Sequence, residues 1–325
     1  GLEPNFTIID ENSTAILFRN LVEGSTEYQA KLISWALEPN EKKLAKKHYT
    51  LLSNTVSALI NTATPEELMK GVFGKDTLYR LQKTHRTINE DNVEKVADFC
   101  FKVFKDSIVD GQRTNTVTYD QVLFIGYLMI QGDLLKEEKK SLIHTIVDEY
   151  QDTNLLQDAF IRYLSNGNLT IVGDMDQSIY EFRGGRPTLI LDHAKDASVY
   201  NLSYNYRSYQ PILDIANRVI HHNETGQSIR ADLEAVQKMD GNYGGITFTV
   251  SETERLESEN IVNTIREYHE QGTAWSDMAI LLRSRMTLPS ISRALTEAHI
   301  PVYDTTRFAD FMKSDVMIDT LNYLK

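Results

Sequence analysis

The stretch "IVDEYQDTN" (Ile146 to Asn154) sets three acids and two amides where an apolar run stops. A carboxylate at a strand end, here Asp148, can hold Mg²⁺, an ion that takes one or two carboxylates and fills its other positions with water or phosphate oxygens. Its neighbour Glu149 can draw a proton from a water attacking a phosphoryl group. The same residues also suit a solvated turn leading into a helix, and an Asp-Glu-x-x-Asp pattern alone does not choose between the two.

Two further clusters bear on that choice. In "VGDMDQSIYEFRGG" (Val172 to Gly185), Gly173 permits a tight strand exit, and Gln177 can sense a terminal phosphate or orient an attacking water. Tyr180 and Phe182 lie two apart; on an extended chain they share a face and can stack on bases, with Arg183 near for phosphate. Aromatic residues are as often core, so burial of these rings is the competing reading. In "NLSYNYRS" (Asn201 to Ser208), Arg207 follows a strand-like run and can reach across a cleft as an arginine finger, while Tyr206 can stack on a purine.

The elements that must carry these clusters follow from periodicity. "LIHTIVDE", "LTIVGD" and "SVYNLSYN" are short apolar runs, separated by the helix-like "LLQDAFIRYL" and "RPTLILDHA". Strands alternating with helices indicate a parallel α/β sheet, and the 26 positions from Asp148 to Asp174 suit one strand-helix-strand unit. Both acids then sit at the carboxyl edge, where such sheets bind ligands. A second alternating block starts near residue 210, with "GGITFTV", "MAILLRS" and "IPVYDT" as strands and "RADLEAVQKMDGNYGG" as a loop. Residues 12 to about 140 read as almost wholly helical, with "TYDQVLFIGYLMI" as the more buried stretch.

Composition narrows the setting. The 325 residues exceed one ordinary core and suggest two domains. No apolar run is long enough to span a membrane, and no signal-peptide pattern opens the chain. The lone Cys100, in the helix-like "VADFCFKVF", reads as a small core residue, and the absence of a disulfide pair fits a reducing, cytoplasmic setting. A net charge of −12 argues against coating nucleic acid by bulk electrostatics but leaves room for a local groove that grips one strand by stacking. His221 and His222 lack a third residue at ligand spacing and read as a polar helix end.

In this order and spacing, "DEYQDTN", "VGDMDQSIYEFRGG" and "NYRS" resemble motifs II, III and IV of the superfamily 1 DNA helicases of the UvrD/Rep/PcrA group. "NFTIIDENSTAILFRNLV" is similar to the approach to that family's helical 1B subdomain, and "TYDQVL" to the stretch before motif II. "MAILLRSRMTLPSISRALTEAHIPVYDTTRFAD" resembles motif IVa and the approach to the 2B insertion, so the resemblance covers essentially the whole chain.

The resemblance implies RecA-like parallel sheets of the P-loop NTPase type with an inserted all-helical subdomain. Residues 1–140 correspond to a mostly helical 1B-like subdomain with its flanking segment. Residues 141–205 correspond to part of the first RecA-like domain, and residues 206–325 to the first part of the second. It further implies an ATP-dependent helicase that moves 3′ to 5′ on single-stranded DNA or a single-strand/duplex junction. Asp148 would coordinate Mg²⁺, Glu149 would be the catalytic base and Gln177 would contact the terminal phosphate of ATP. Tyr206 would pack on adenine, and Arg207 would stabilise charge on the transferring phosphoryl group. Tyr180, Phe182 and Arg183 would face single-stranded DNA, with Arg283 a further strand contact. Phe182 stands where the family usually has Trp.

A phosphate-cradling GxxxxGK[ST] loop does not occur in the 325 residues. The nearest fragment, "GVFGKDT" (Gly71 to Thr77), carries Asp after Gly-Lys and lies in the helical block. The family places this loop before the present start, and its motifs V and VI after Lys325. The expectation is therefore an internal portion of a longer helicase. A non-hydrolysing relative that binds DNA or a protein, and a portion of an AddA/RecB-like repair helicase-nuclease, are the alternatives.

Overall fold

A computed structural model describes residues 3–84, 87–223, 229–237, 245–284 and 286–303; the side chain of Phe182 also lies outside the description. The chain divides into two compact units, Gly1–Gly241 and Asn242–Lys325.

The first unit opens with β1 (Thr7–Ile8), α1 (Glu11–Glu23), α2 (Thr26–Ala36), α3 (Lys46–Thr62), α4 (Pro65–Lys70), α5 (Lys75–Thr84) and α6 (Val93–Thr114). It continues through β2 (Thr116–Val117), α7 (Tyr119–Gln131) and α8 (Lys136–Ser141). Three strand-and-helix pairs follow: β3 (Thr145–Val147) with α9 (Leu155–Ser165), β4 (Leu169–Ile171) with α10 (Thr188–Ala194), and β5 (Tyr204–Asn205) with α11 (Gln210–Ile220), before β6 (Glu234–Ala235). The strands pair in parallel, β1 with β2, β3 with β4 and β5 with β6.

The helical block has the larger core. α6 buries Val93, Val96, Ala97, Cys100, Val103, Phe104 and Ser107, a spacing of three and four that lines one helix face. The Cys100 thiol is fully buried and pushed up by desolvation, which fits a packing residue and not a nucleophile. α3 is buried along most of its length and forms the central rod of the block. Phe104 meets Phe124 of α7 edge to face, with ring centroids 5.5 Å apart. α7 itself is one-sided: Phe124 and Ile130 are buried, whereas Tyr119, Val122 and Leu128 face outward, so the apolar "TYDQVLFIGYLMI" is less enclosed than its composition suggests.

The Gly-Lys fragment of residues 71–77 is a helix-helix corner. Gly71 takes φ 68° to end α4, and the Glu67 carboxylate accepts hydrogen bonds from Thr64 N, Gly74 N (2.5 Å) and Thr77 Oγ1 (2.8 Å). The donors that a phosphate would need at the start of α5 are thus taken by a side chain of the protein itself.

The first turn after β3 is held from behind by a buried polar cluster. Tyr150, fully buried, donates through its hydroxyl to Asp158 Oδ1 (2.6 Å) and lies 2.9 Å from His193 Nε2, while Arg162 Nε donates to Asp158 Oδ2 (2.8 Å). Burial acts to raise the Asp158 carboxyl, but the hydrogen bonds from Tyr150, His193 and Arg162 outweigh it and hold the group below the ordinary carboxylate range.

The second unit contains α12 (Glu254–Glu270) and α13 (Leu288–Glu297), packed through Val262, Ile291, Leu295 and Ile300. Its described residues include no strand. Ile246, Phe248 and Val250 keep the alternation that predicts one, but they are at least half exposed. Alternation supplies propensity, whereas a strand also needs a paired neighbour for its backbone groups. No described helix is long and apolar enough to cross a membrane.

Two stability outcomes follow. Phe104→Ala should cost about 3–5 kcal/mol in denaturant unfolding, because it opens a cavity in the aromatic centre of the block; a loss below about 1 kcal/mol would show that the site collapses. Asp158 titrates lower when folded than unfolded, so its contribution is complete above about pH 4 and is lost as pH falls through the folded value. Asp158→Asn should lower stability at neutral pH by about 2 kcal/mol and flatten the acid limb of the Tm profile; an unchanged acid limb would uncouple this carboxyl from folding.

Candidate active site

β3 and β4 run in register, Ile146 beside Thr170, so Asp148 and Asp174 leave the sheet at the same carboxyl edge. The ladder continues past both strands: Val172 N–H donates to Val147 O (2.8 Å) and Tyr150 N–H to Val172 O (3.0 Å). Between these bonds Glu149 takes φ 53°, ψ 40°, a left-handed conformation unusual for a residue with a Cβ. The result is a sharp alternation: Asp148 and Glu149 are exposed, whereas Tyr150 and Gln151 are buried.

Gln151 joins the first two clusters. Its Nε2 donates to Glu149 Oε2 (2.6 Å) and its Oε1 accepts Asp174 N–H (3.0 Å). Asp174 in turn accepts from Gln177 Nε2 on Oδ2 (2.8 Å) and from Asp176 N–H on Oδ1 (3.0 Å). A hydrogen-bonded chain therefore runs from the Glu149 carboxylate to the Gln177 amide. Gly173 is required for it, since a Cβ there would lie 2.6 Å from Gln151 Oε1 and 3.1 Å from Tyr150 N. Asp152 has one buried carboxylate oxygen without a hydrogen-bond partner among the described residues, and burial, then the charge of Glu149, push its carboxyl up.

The third cluster is held by an Asx turn: Asn205 Oδ1 accepts Arg207 N–H (3.0 Å) and Ser208 N–H (2.7 Å), while Gln237 Nε2 donates to Tyr206 O (2.7 Å). Glu149, Gln177, Tyr204, Asn205, Tyr206 and Arg207 line one open cleft of about 560 Å³. The structure thus brings together a carboxylate, an amide, a guanidinium and an aromatic ring, a set suited to a phosphate ester that carries an aromatic base. The exposed Asp148, one oxygen of which accepts Glu149 N–H (2.9 Å), fits Mg²⁺ in the way that ion prefers, as a single carboxylate with phosphate and water completing the shell. Among the described residues no group of three or more His, Cys, Asp or Glu could hold a metal alone.

The remaining sequence-predicted residues lie elsewhere. Tyr180 precedes a 3-10 turn at Glu181–Arg183, so the backbone is not extended there and the shared face expected of positions 180 and 182 has no basis in this conformation. The side chain of Phe182 lies outside the described residues. The Arg183 guanidinium sits 5.6 Å from the Tyr180 ring centroid and 3.8 Å from Glu11. Gly184 (φ 92°) presses this loop on α3: a Cβ would fall 2.3 Å from Asn61 O. Arg283 is exposed in the second unit. Sequence reasoning missed Gln151 and Arg230; Gln151 stood inside "DEYQD" as the one amide among acids, whereas Arg230 opened a stretch read as loop.

Residues 1–198 match the model of the UvrD/REP helicase N-terminal domain, and residues 200–325 that of the UvrD-like helicase C-terminal domain. The chain is 28% identical over 332 residues to the ATP-dependent DNA helicase PcrA of Leuconostoc citreum, covering 100% of this chain and 39% of the relative. Identity is 26% to the ATP-dependent DNA helicase Rep of Buchnera aphidicola subsp. Schizaphis graminum (99% and 44% covered) and 25% to Rep of Escherichia coli (100% and 43%). The chain spans about two fifths of the length of these relatives. That family carries RecA-like α/β domains, and with its two models matched over residues 1–198 and 200–325, this chain belongs to the UvrD/REP helicases.

Proposed function

We propose that the chain is a portion of an ATP-dependent DNA helicase or translocase that couples Mg-ATP hydrolysis to 3′ to 5′ movement on single-stranded DNA in the cytoplasm. The observation that carries the proposal is the cleft lined by Glu149, Gln177, Tyr206 and Arg207, in which three separate sequence clusters, carried by the β3–β4 and β5–β6 pairs, meet. In this reading residues 1–140 are an inserted 1B-like helical subdomain, 141–205 part of the first RecA-like domain and 206–325 the start of the second.

Each side chain has a definite task. Asp148 would hold Mg²⁺, which supplies charge neutralisation on the phosphates when bound. Glu149 takes the proton of the attacking water; Gln151 bonds one of its carboxylate oxygens, and the residue lines the cleft. Gln177 contacts the terminal phosphate, Arg207 offsets the negative charge that gathers there, and Tyr206, 70% exposed, offers a ring for adenine. Tyr180, Phe182 and Arg183 contact single-stranded DNA or a single-strand/duplex junction, and Arg283, in the second unit, is a further strand contact.

In the whole natural protein, Glu149→Gln should lower ATP turnover by about 10²–10⁴ while nucleotide binding persists, the range expected for loss of a general base. Unchanged turnover would remove Glu149 from that role, and absence of hydrolysis in the unaltered protein would favour a non-hydrolysing DNA-binding relative. Tyr180→Ala should weaken single-strand affinity by about 1–3 kcal/mol, the scale of one stacked base, with DNA-independent hydrolysis preserved; equal loss of both would make Tyr180 a packing residue.

A further inference from the structure

Asp176 lies between Asp174 and Gln177 in the 3-10 turn Met175–Gln177, and the proposed chemistry gives it no task. Its carboxylate is nonetheless fully engaged. Arg230 Nε donates to Oδ2 and Arg230 Nη2 to Oδ1, both at 2.8 Å, and Asn223 Nδ2 donates to Oδ1 at 2.9 Å. The Arg230 and Asp176 side chains are 12% and 11% exposed. A two-pronged guanidinium-carboxylate pair shielded in this way fixes distance and angle together, unlike a screened surface pair.

What the pair joins is informative. Arg230 precedes β6, whose residues are locked to β5: Glu234 N–H donates to Ser203 O (2.8 Å) and Val236 N–H to Asn205 O (2.9 Å). Asn205 is the residue that forms the turn of Tyr206 and Arg207. Asn217 of α11 clasps the Leu233 backbone from the other side, with bonds of 3.1 and 3.2 Å. Arg230 therefore belongs to the frame of Arg207, and Asp176 to the turn of Gln177. A cavity of about 150 Å³ adjoins the pair, lined by Asp174, Asp176, Asn201, Asn217 and Arg230 among others, so the turn has room to shift once the pair is broken.

Resting on the reading of the cleft as an ATP site, we propose that Arg230, acting through Asp176, is a positioning residue that sets the Gln177 amide relative to Arg207. The Asp176 N–H bond to Asp174 and the Asp174 bond to Gln177 carry the constraint one residue further, to the amide itself. An ion pair of stability value alone would cost the same whatever stands at position 177; a positioning pair would not.

The test is an epistasis measurement on DNA-stimulated ATP hydrolysis in the whole natural protein, with Arg230→Lys, Gln177→Ala and the double variant, each assayed below its own unfolding transition. Lysine keeps the charge and loses the fork. Arg230→Lys should lower kcat about tenfold or more, as expected when a reacting geometry is misplaced, with KM for ATP little changed. In the Gln177→Ala background it should add no further loss. Losses that multiply in the double variant, or an unchanged kcat for Arg230→Lys, would overturn the inference. Asp176→Asn, of nearly equal volume, gives the same reading if Arg230→Lys does not fold. Hydrolysis absent from the unaltered protein would instead overturn the ATP-site reading, and this inference with it.

Discussion

The geometry of the candidate active site depends on how closely the exit of β4 approaches the turn after β3. Gly173 permits that approach, and the buried Gln151 amide uses it, bonding Glu149 on one side and the Asp174 backbone on the other. A buried amide left without partners would cost about 1–3 kcal/mol. That is enough to offset the left-handed backbone of Glu149, a strain on the order of 1 kcal/mol. The turn is thus stable only in the arrangement that exposes Glu149 and buries Tyr150 and Gln151. Tyr150, anchored to Asp158 and His193, closes the alternative in which the turn relaxes outward.

A second set of contacts ties the loop after Gln177 to the helical block. The Asn61 side chain donates to Asp120 Oδ1 (2.9 Å) and accepts from Asn154 Nδ2 (2.7 Å), linking α3 to the start of α7 and to the cap of α9. The Asn61 carbonyl lies against Gly184, and Arg186 reaches the Thr62 carbonyl (3.2 Å) and Asp76 (2.8 Å). The turn that follows Glu149 and the loop that carries Tyr180 therefore meet the same helix end. In the proposed function this shared support is where a change at the nucleotide cleft and a change at the strand contact would be felt together, since close-packed elements transmit displacement and do not absorb it.

Sequence reasoning reached the clusters because each has local cause: an apolar run, a polar exit, an aromatic or cation beyond it. The strand-helix period placed Asp148 and Asp174 at one edge, as β3 and β4 bear out. The pairing of Asp176 with Arg230, 54 positions apart, has no local cause and could not be read. The face shared by positions 180 and 182 was conditional on extended backbone, and the turn at Glu181–Arg183 removes the condition. Alternation near residues 246–250 signalled strand propensity, but pairing is a property of the neighbour and not of the segment. Gln151 is masked in the sequence by the acids beside it, which offer more obvious chemistry; an amide that is to be buried among charges is itself a signal of a structural bridge.

In the proposed function, the acidic net charge and a nucleic-acid ligand are reconciled locally. Around the loop that carries Tyr180, the cations are already answered: Arg183 faces Glu11, Arg186 bonds Asp76, and Arg80 lies near both Asp76 and Glu181. A phosphate backbone arriving here would displace carboxylates from these arginines, so the gain from each ionic contact is the difference between two anions and not the whole attraction. Stacking exchanges no anion: the Tyr180 ring, whose centroid lies 5.6 Å from the Arg183 guanidinium, would trade water for a base over its exposed part. In the proposed function, affinity at this loop would then rest more on aromatic faces than on ion pairs, which suits a chain with a formal charge of −12.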